Sequence, residues 1–231
     1  GKDASLALDM MDAAKKAMVP PFEISVFPDP AGSFTTAAAM VACTEKTLKE
    51  KFNTDFQDKN IIVYGGKGIV GGISAIMCAQ HGAKCTIVGY DGISNVQKKA
   101  EEYKSRYDVD IIPGDGSSDE LNTSFLPEAD IIFCAARAGT QVISLNQLKN
   151  KQNVKVLADV NAVPPAGLEG VGLKDDEVQH ECGAYSIGPL TSGDIKVKTQ
   201  YKMFEKMCTT DKPLYLNFDE ALKTSREILG L

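Results

Sequence analysis

The chain has 231 residues, 43% of them hydrophobic and 24% charged, the balance of a globular protein large enough for one large domain or for a domain with a smaller partner. Its net charge of −6 and its scattered lysines and arginines argue against a nucleic-acid surface, which needs basic residues gathered on one face. No apolar run approaches the ~20 residues that span a bilayer, and Gly1-Lys2-Asp3 lacks the charged-then-apolar layout of a secretory leader, so a soluble cytoplasmic protein with no membrane partner is expected.

Leu6, Leu8, Met11, Ala14 and Met18 recur at helical spacing and predict a helix over residues 4–19, ended by Pro20-Pro21. Residues 22–27 alternate as a strand does, and the stretch from Pro28 to Gly32 breaks it. Ser33 or Thr35 can cap the next helix, which runs through an alanine-rich stretch to about Phe52. Ile61-Ile62-Val63-Tyr64 is short and apolar, as a buried parallel strand should be. Further strands are predicted over 84–88, 109–112, 130–134, 154–158 and 184–187, and helices over 70–81, 94–107 and 145–149. This alternation is the signature of an α/β, Rossmann-type, doubly wound parallel sheet. A helix follows Gly188-Pro189 to about Cys208, and a last one covers 219–229.

The sharpest motif is Gly66-Lys67-Gly68-Ile69-Val70-Gly71, a G-x-G-x-x-G between a strand and a helix. Gly66 is expected to make the tight turn, Gly68 to admit a pyrophosphate and Gly71 to let helix and strand pack closely. The N–H groups heading the helix, at Ile69 and Val70, would face the phosphates. A Walker loop is disfavoured because Gly-Lys is not followed by Ser or Thr; a turn without a ligand is the plain alternative. At the end of the second strand stand Gly89, Tyr90 and Asp91, the last 20 residues beyond Gly71. A carboxylate there can accept both ribose hydroxyls and would repel a 2′-phosphate, and no Arg or Lys adjoins it in the chain. The cofactor is therefore expected to be NAD or NADP, with NAD favoured. The six cysteines form no C-x-x-C pair and read as reduced, buried thiols. With only His81 and His180, no metal site is expected.

Four stretches carry a family resemblance: Asp29-Pro30-Ala31-Gly32-Ser33-Phe34-Thr35-Thr36-Ala37-Ala38-Ala39, the glycine loop, Ala158-Asp159-Val160-Asn161-Ala162-Val163-Pro164-Pro165, and Ile187-Gly188-Pro189-Leu190 leading to Ile195-Lys196-Val197-Lys198. Together they resemble the NAD(P)-dependent methylene-tetrahydromethanopterin dehydrogenases, a family that includes methylene-tetrahydrofolate-active members. The resemblance implies hydride transfer from a methylene-tetrahydropterin to NAD(P), giving the methenyl form, in a homo-oligomer. It also implies a division into residues 1–55, part of a smaller N-terminal α/β pterin-binding domain with a linking helix; 56–208, the Rossmann domain; and 209–231, a helix packing back on the first. Members carry further elements ahead of the match to residues 4–19, so this chain starts inside that N-terminal domain, which is expected to be cut short here or to continue upstream. NADP-specific members also have basic residues where Tyr90-Asp91 stands.

Ser33, Thr35 and Thr36 can bind the pterin or simply cap a helix. Asp29 can pair with the amino-pyrimidine edge of a pterin or serve as a turn aspartate. Ala135 and Ala136 leave room for a cofactor, Arg137 can meet a phosphate or a substrate carboxylate, and the Asn161 amide can hold the nicotinamide carboxamide or serve its loop. Lys196 and Lys198 by themselves read as solvated helix lysines. With the resemblance, Lys196 becomes the catalytic candidate, acting on a pterin carbonyl or on ring orientation, and Lys198 a substrate contact. Two alternatives remain: an oxidoreductase of the shikimate dehydrogenase type, for which no clear Lys/Asp pair is visible, and a non-catalytic dinucleotide-binding protein.

Overall fold

The structure, a computed structural model, describes residues 3–149 and 153–231. The chain runs α1 (Ala4–Ala17), a 3-10 turn (Pro30–Gly32), α2 (Ser33–Phe52), β1 (Asn60–Tyr64), α3 (Ile69–Gln80), β2 (Lys84–Gly89), α4 (Ile93–Tyr107) and β3 (Ile111–Asp115). It continues through α5 (Asp119–Thr123), β4 (Ile131–Cys134), α6 (Leu145–Leu148), β5 (Val156–Asp159), β6 (Asp176–Gln179), β7 (Tyr185–Ile187), α7 (Pro189–Thr209) and α8 (Phe218–Leu229). The strands form one 7-stranded sheet in the order β3-β2-β1-β4-β5-β7-β6. All pairs are parallel except the edge pair of β6 with β7. This is the expected Rossmann-type α/β architecture.

The period of two along each strand sorts the apolar side chains between two cores. Ile61 and Val63 of β1, Ile131 and Phe133 of β4, and Val156 and Ala158 of β5 join the larger cluster, with α2, α3, α4, α7 and α8. Ile62, Tyr64, Ile132, Cys134 and Leu157 point the other way, onto α6 and the loops around Leu126, Ile143 and Leu168. Burial on both faces is why these strands read as unbroken apolar runs. Within the larger layer, α2 is enclosed by α3, α7 and α8, and every residue from Ala37 to Glu45 is buried. Its alanines let the neighbouring helices approach from all sides, as a helix apolar around its whole girth requires.

Residues 22–27 do not form a strand. Val26 makes a single bridge to Tyr215, while Phe22 and Ile24 are 78% and 67% exposed. Alternation marked a two-faced segment, but no neighbouring strand among the described residues offers it a ladder. β3 lies further along than 109–112 because it includes Pro113, which an edge strand tolerates. α5 and β6 had no apolar signal: α5 is short, largely polar and capped by Ser118, and β6 is a largely polar edge strand.

Glu177 pins that edge. It has φ of +56° at a bulge, and its carboxylate receives Lys46 Nζ at 3.0 Å and Lys51 Nζ at 2.7 Å, both from α2. Burial pushes its pKa up, but the hydrogen bonds from Lys51 and Lys46 outweigh that and hold it below the ordinary 4.5. A carboxyl lowered on folding contributes stability above its unfolded pKa and loses it as pH falls through the folded one. Glu177→Gln should therefore cost about 1 kcal/mol at neutral pH. Chemical denaturation should show that deficit closing as pH drops below 4.5.

Candidate active site

Every strand except β6 runs the same way, so their carboxyl ends share one edge, where open α/β sheets bind ligands. α2 leads into β1 and runs antiparallel to it, and α3 follows β1 directly; both helices thus open at that edge. α7 opens there too, immediately after β7.

The tight turn belongs to Gly65, not to Gly66. Gly65 has φ of +78°, and a Cβ on it would fall on the carbonyl of Ala135. Gly66 lies flat against Ile87, and a Cβ on Gly71 would sit 2.7 Å from the Gly65 carbonyl oxygen, so α3 starts tight against the turn. Gly68 is the N-cap of α3 and caps it with no side chain. Its open side faces a cleft of ≈640 Å³, and a Cβ there would meet only Gly65 O, at 3.2 Å. The first-turn N–H groups that follow, including those of Ile69 and Val70, have no partner within the helix and concentrate its positive end. A backbone cradle emptied of side chains before a helix N-terminus fits a diphosphate.

Gly89 and Tyr90 line one side of this cleft with Gly116 to Asp119 beside them, and Ala135, Ala136 and Arg137 line it on the β4 side. Tyr90 is 81% exposed. Arg137 is exposed as well, and among the described residues its guanidinium has no ion pair. Asp91 differs from expectation. Although no basic residue adjoins it in sequence, Lys67 of the glycine loop reaches across and places its ammonium on both carboxylate oxygens. That contact, more than any other, lowers the Asp91 pKa.

The second group gathers where α7 crosses the start of α2. Neither Ser33 nor Thr35 caps α2; Asp29 does. Its Oδ1 accepts from the N–H of Phe34 at 2.8 Å and of Thr35 at 3.3 Å, and Oδ2 accepts from the Thr35 hydroxyl at 2.7 Å and from Gln200 Nε2 at 2.8 Å. All its acceptor directions are used within the chain. Thr35 is fully buried, Thr36 donates to Gly32 O at 2.7 Å, and Ser33 stays partly open. Removing the Asp29 carboxylate leaves α2 uncapped, costs Gln200 its acceptor and leaves the buried Thr35 hydroxyl only its longer contact to Gly32 O, at 3.2 Å. Asp29→Ala should thus lose about 2–3 kcal/mol, read as a fall in Tm of about 5–10 °C.

Lys196 lies over the same turn: a Cβ on Gly32 would be 3.1 Å from its Nζ. It is half-buried, and among the described residues no carboxylate lies within the 4.0 Å of an ion pair. A cation so placed, beside the positive end of a 20-residue helix, lacks direct compensation. Lys198, by contrast, is on the exposed side of α7, paired with Asp194 at 2.6 Å.

Asn161 is buried and engaged. Its Oδ1 accepts from the N–H of Val163 and of Gly139, and Nδ2 donates to Pro165 O at 3.0 Å. It locks the loop after β5 together with Asp159, which is 1% exposed and accepts from the N–H of Asn161 at 2.8 Å and of Leu168 at 2.9 Å. Burial raises the Asp159 pKa against the pull of those hydrogen bonds. Lys67, Gln200 and Asp159 were not among the candidate site residues; Lys67, inside the glycine motif, and Asp159, inside the stretch from Ala158 to Pro165, carried a local signal, and Gln200 carried none.

Residues 1–31 match the family described as Methylene-tetrahydromethanopterin dehydrogenase, N-terminal. Over 231 residues, 100% of the chain, the sequence is 43% identical to the NAD(P)-dependent methylenetetrahydromethanopterin dehydrogenase of Methylorubrum extorquens and covers 78% of it. The fold is similar to that of the ligand-free 5-ketofructose reductase of Gluconobacter sp. strain CHM43, with a TM-score of 0.52 and 17% identity over 98% of this chain and 85% of that one. It is similar also to shikimate 5-dehydrogenase from Listeria monocytogenes, solved with shikimate and NAD: TM-score 0.50, 16% identity, 99% of this chain and 83% of that one. At such identities the two structures speak to fold alone.

Proposed function

This chain belongs to the family of NAD(P)-dependent methylenetetrahydromethanopterin dehydrogenases, and we propose that it oxidises methylene-tetrahydromethanopterin to the methenyl form by passing a hydride to NAD(P). The carrying observation is the 43% identity over the whole chain, joined to a diphosphate cradle at the carboxyl edge of the sheet.

The C–H bond of the methylene carbon breaks with its electron pair, and the cation left behind is delocalised over the two nitrogens that carbon bridges. Bound NAD(P) supplies the acceptor, nicotinamide C4. No proton is released, so no general base is needed; the chain's task is alignment and exclusion of water. Gly65, Gly68 and the head of α3 hold the diphosphate. Ala135 and Ala136 leave the backbone open beside it, Arg137 offers a cation at the rim, and Tyr90 and Asp91 meet the adenosine. Lys196 binds a carbonyl oxygen of the pterin and fixes the ring's orientation. An ammonium placed beside the reacting carbon would oppose the cation, so Lys196 acts from a distance.

Ser33 is the hydroxyl left open to substrate. Asp29, Thr35 and Thr36 shape that wall as the cap of α2, and Asn161 shapes the other as the clasp of its loop. Lys198 is the least supported of the substrate contacts, since Asp194 already engages it. NAD is supported by Asp91 facing the ribose position, whereas the absence of a basic neighbour no longer counts against NADP. Assembly as a homo-oligomer belongs to the same reading.

Absorbance at the NAD(P)H band decides it. The purified protein should reduce NAD(P) with methylene-tetrahydromethanopterin and respond less to methylene-tetrahydrofolate. Binding of both nucleotides with no reduction in the presence of either carrier would leave a dinucleotide-binding protein without this activity.

A further inference from the structure

We propose that Lys67 and Asp91 form a two-position latch that sets the choice between NAD and NADP: closed, the pair offers Asp91 to two free ribose hydroxyls; parted, Lys67 serves a 2′-phosphate. The proposal rests on the dinucleotide reading of the cleft and assigns its discriminating residues.

Both side chains lie over the end of β2, where the adenosine ribose would rest. A Cβ on Gly89 would stand 3.2 Å from Lys67 Cε and 3.5 Å from Asp91 Oδ1. The backbone of Lys67 belongs to the phosphate cradle while its ammonium lies on Asp91 at the ribose wall, so the cation adjoins the part of the nucleotide where NADP carries its extra phosphate. The pair is open to solvent, with side-chain exposures of 26% and 37%. An ion pair this exposed adds little to folding, so parting it leaves the fold intact.

Asp91 has a second donor of its own. Asn95 Nδ2, in the first turn of α4, lies 3.3 Å from Asp91 Oδ2 and holds the carboxylate when Lys67 leaves. With NAD, Asp91 keeps Lys67 and gives up its longer contact to Asn95, which leaves one lone pair on each oxygen for the two ribose hydroxyls. With NADP, a phosphate of nearly two negative charges competes with a carboxylate of one for the same ammonium. Lys67 goes to the phosphate, and Asp91, repelled, turns toward Asn95. The chain then takes both cofactors, each at a cost set by a different member of the pair.

The test is a fluorescence titration of the full chain with NADH and with NADPH, repeated by calorimetry with 5′-ADP and 2′,5′-ADP. Lys67→Met should weaken NADPH by about 10- to 100-fold and move NADH by less than about threefold, the loss of one charge-assisted contact confined to one ligand. Lys67→Arg should retain NADPH within about threefold. Asp91→Asn should tighten NADPH and loosen NADH, each by about 10-fold. Parallel changes for both nucleotides, no change for either, or wild-type binding of NADH with none of NADPH would overturn the latch while the cleft reading stands. Wild-type protein that binds neither nucleotide would overturn both.

Discussion

Lys196→Ala is expected to lower kcat about 100-fold while the dissociation constant for NADH stays within about twofold, because a misoriented substrate costs rate without touching the cofactor. The residue sits on α7 above the Gly32 turn and lines no part of the dinucleotide cleft. Its ammonium has no carboxylate within ion-pair distance among the described residues and lies near the positive end of α2. An arrangement that leaves a half-buried cation without direct compensation is stabilised by an electronegative ligand atom, here the pterin carbonyl. Lys196→Arg keeps the charge but not the shape and should recover only part of the rate. Lys198→Ala serves as the internal comparison: two positions along, paired with Asp194 on the exposed face, it should change kcat by less than about threefold. Equal losses for the two lysines would point to charge in general rather than to position.

The second large effect is expected at Gly68. Gly68→Val should weaken both NADH and NADPH by at least about 100-fold, since a branched side chain covers the first-turn N–H groups that hold the diphosphate. The backbone there is ordinary, with φ of −73°, and a Cβ has only one near neighbour, so the fold should survive and Tm should move little. Gly65→Ala makes the contrast. Its φ of +78° and the Ala135 carbonyl oppose any Cβ, so that variant should lose stability first and binding as a consequence. Thermal melting and nucleotide titration of the two proteins separate a blocked cradle from a broken turn.

Much of this was legible in the residues because the physics that made it is local. Ile61 to Tyr64 reads as a buried strand since both of its faces are covered, and the glycine loop reads as a cradle since no other residue fits its turn and close packing. What escaped is non-local or carries no apolar pattern. Lys67 and Asp91 are 24 residues apart, and Asp29 and Gln200 are 171 apart; only the folded sheet and the crossing of α7 over α2 bring them together. The strand expected over residues 22–27 failed for the converse reason: alternation describes two faces, whereas a strand also needs a neighbour. β6 escaped because it is held by the lysines on Glu177 rather than by buried apolar side chains. Asp29 was open to two readings, a pterin contact or a turn aspartate, and the folded chain shows its carboxylate engaged as the cap of α2 by partners that the local sequence does not reveal, Gln200 among them.

Direct hydride transfer is open to one decisive measurement. The protein is given methylene-tetrahydromethanopterin dideuterated at the methylene carbon, and the reduced nucleotide is analysed by mass spectrometry. The account predicts that each turnover carries one deuterium to C4 of the nicotinamide, with none exchanged into water. Reduced nucleotide lacking deuterium, or label appearing in solvent, would contradict it.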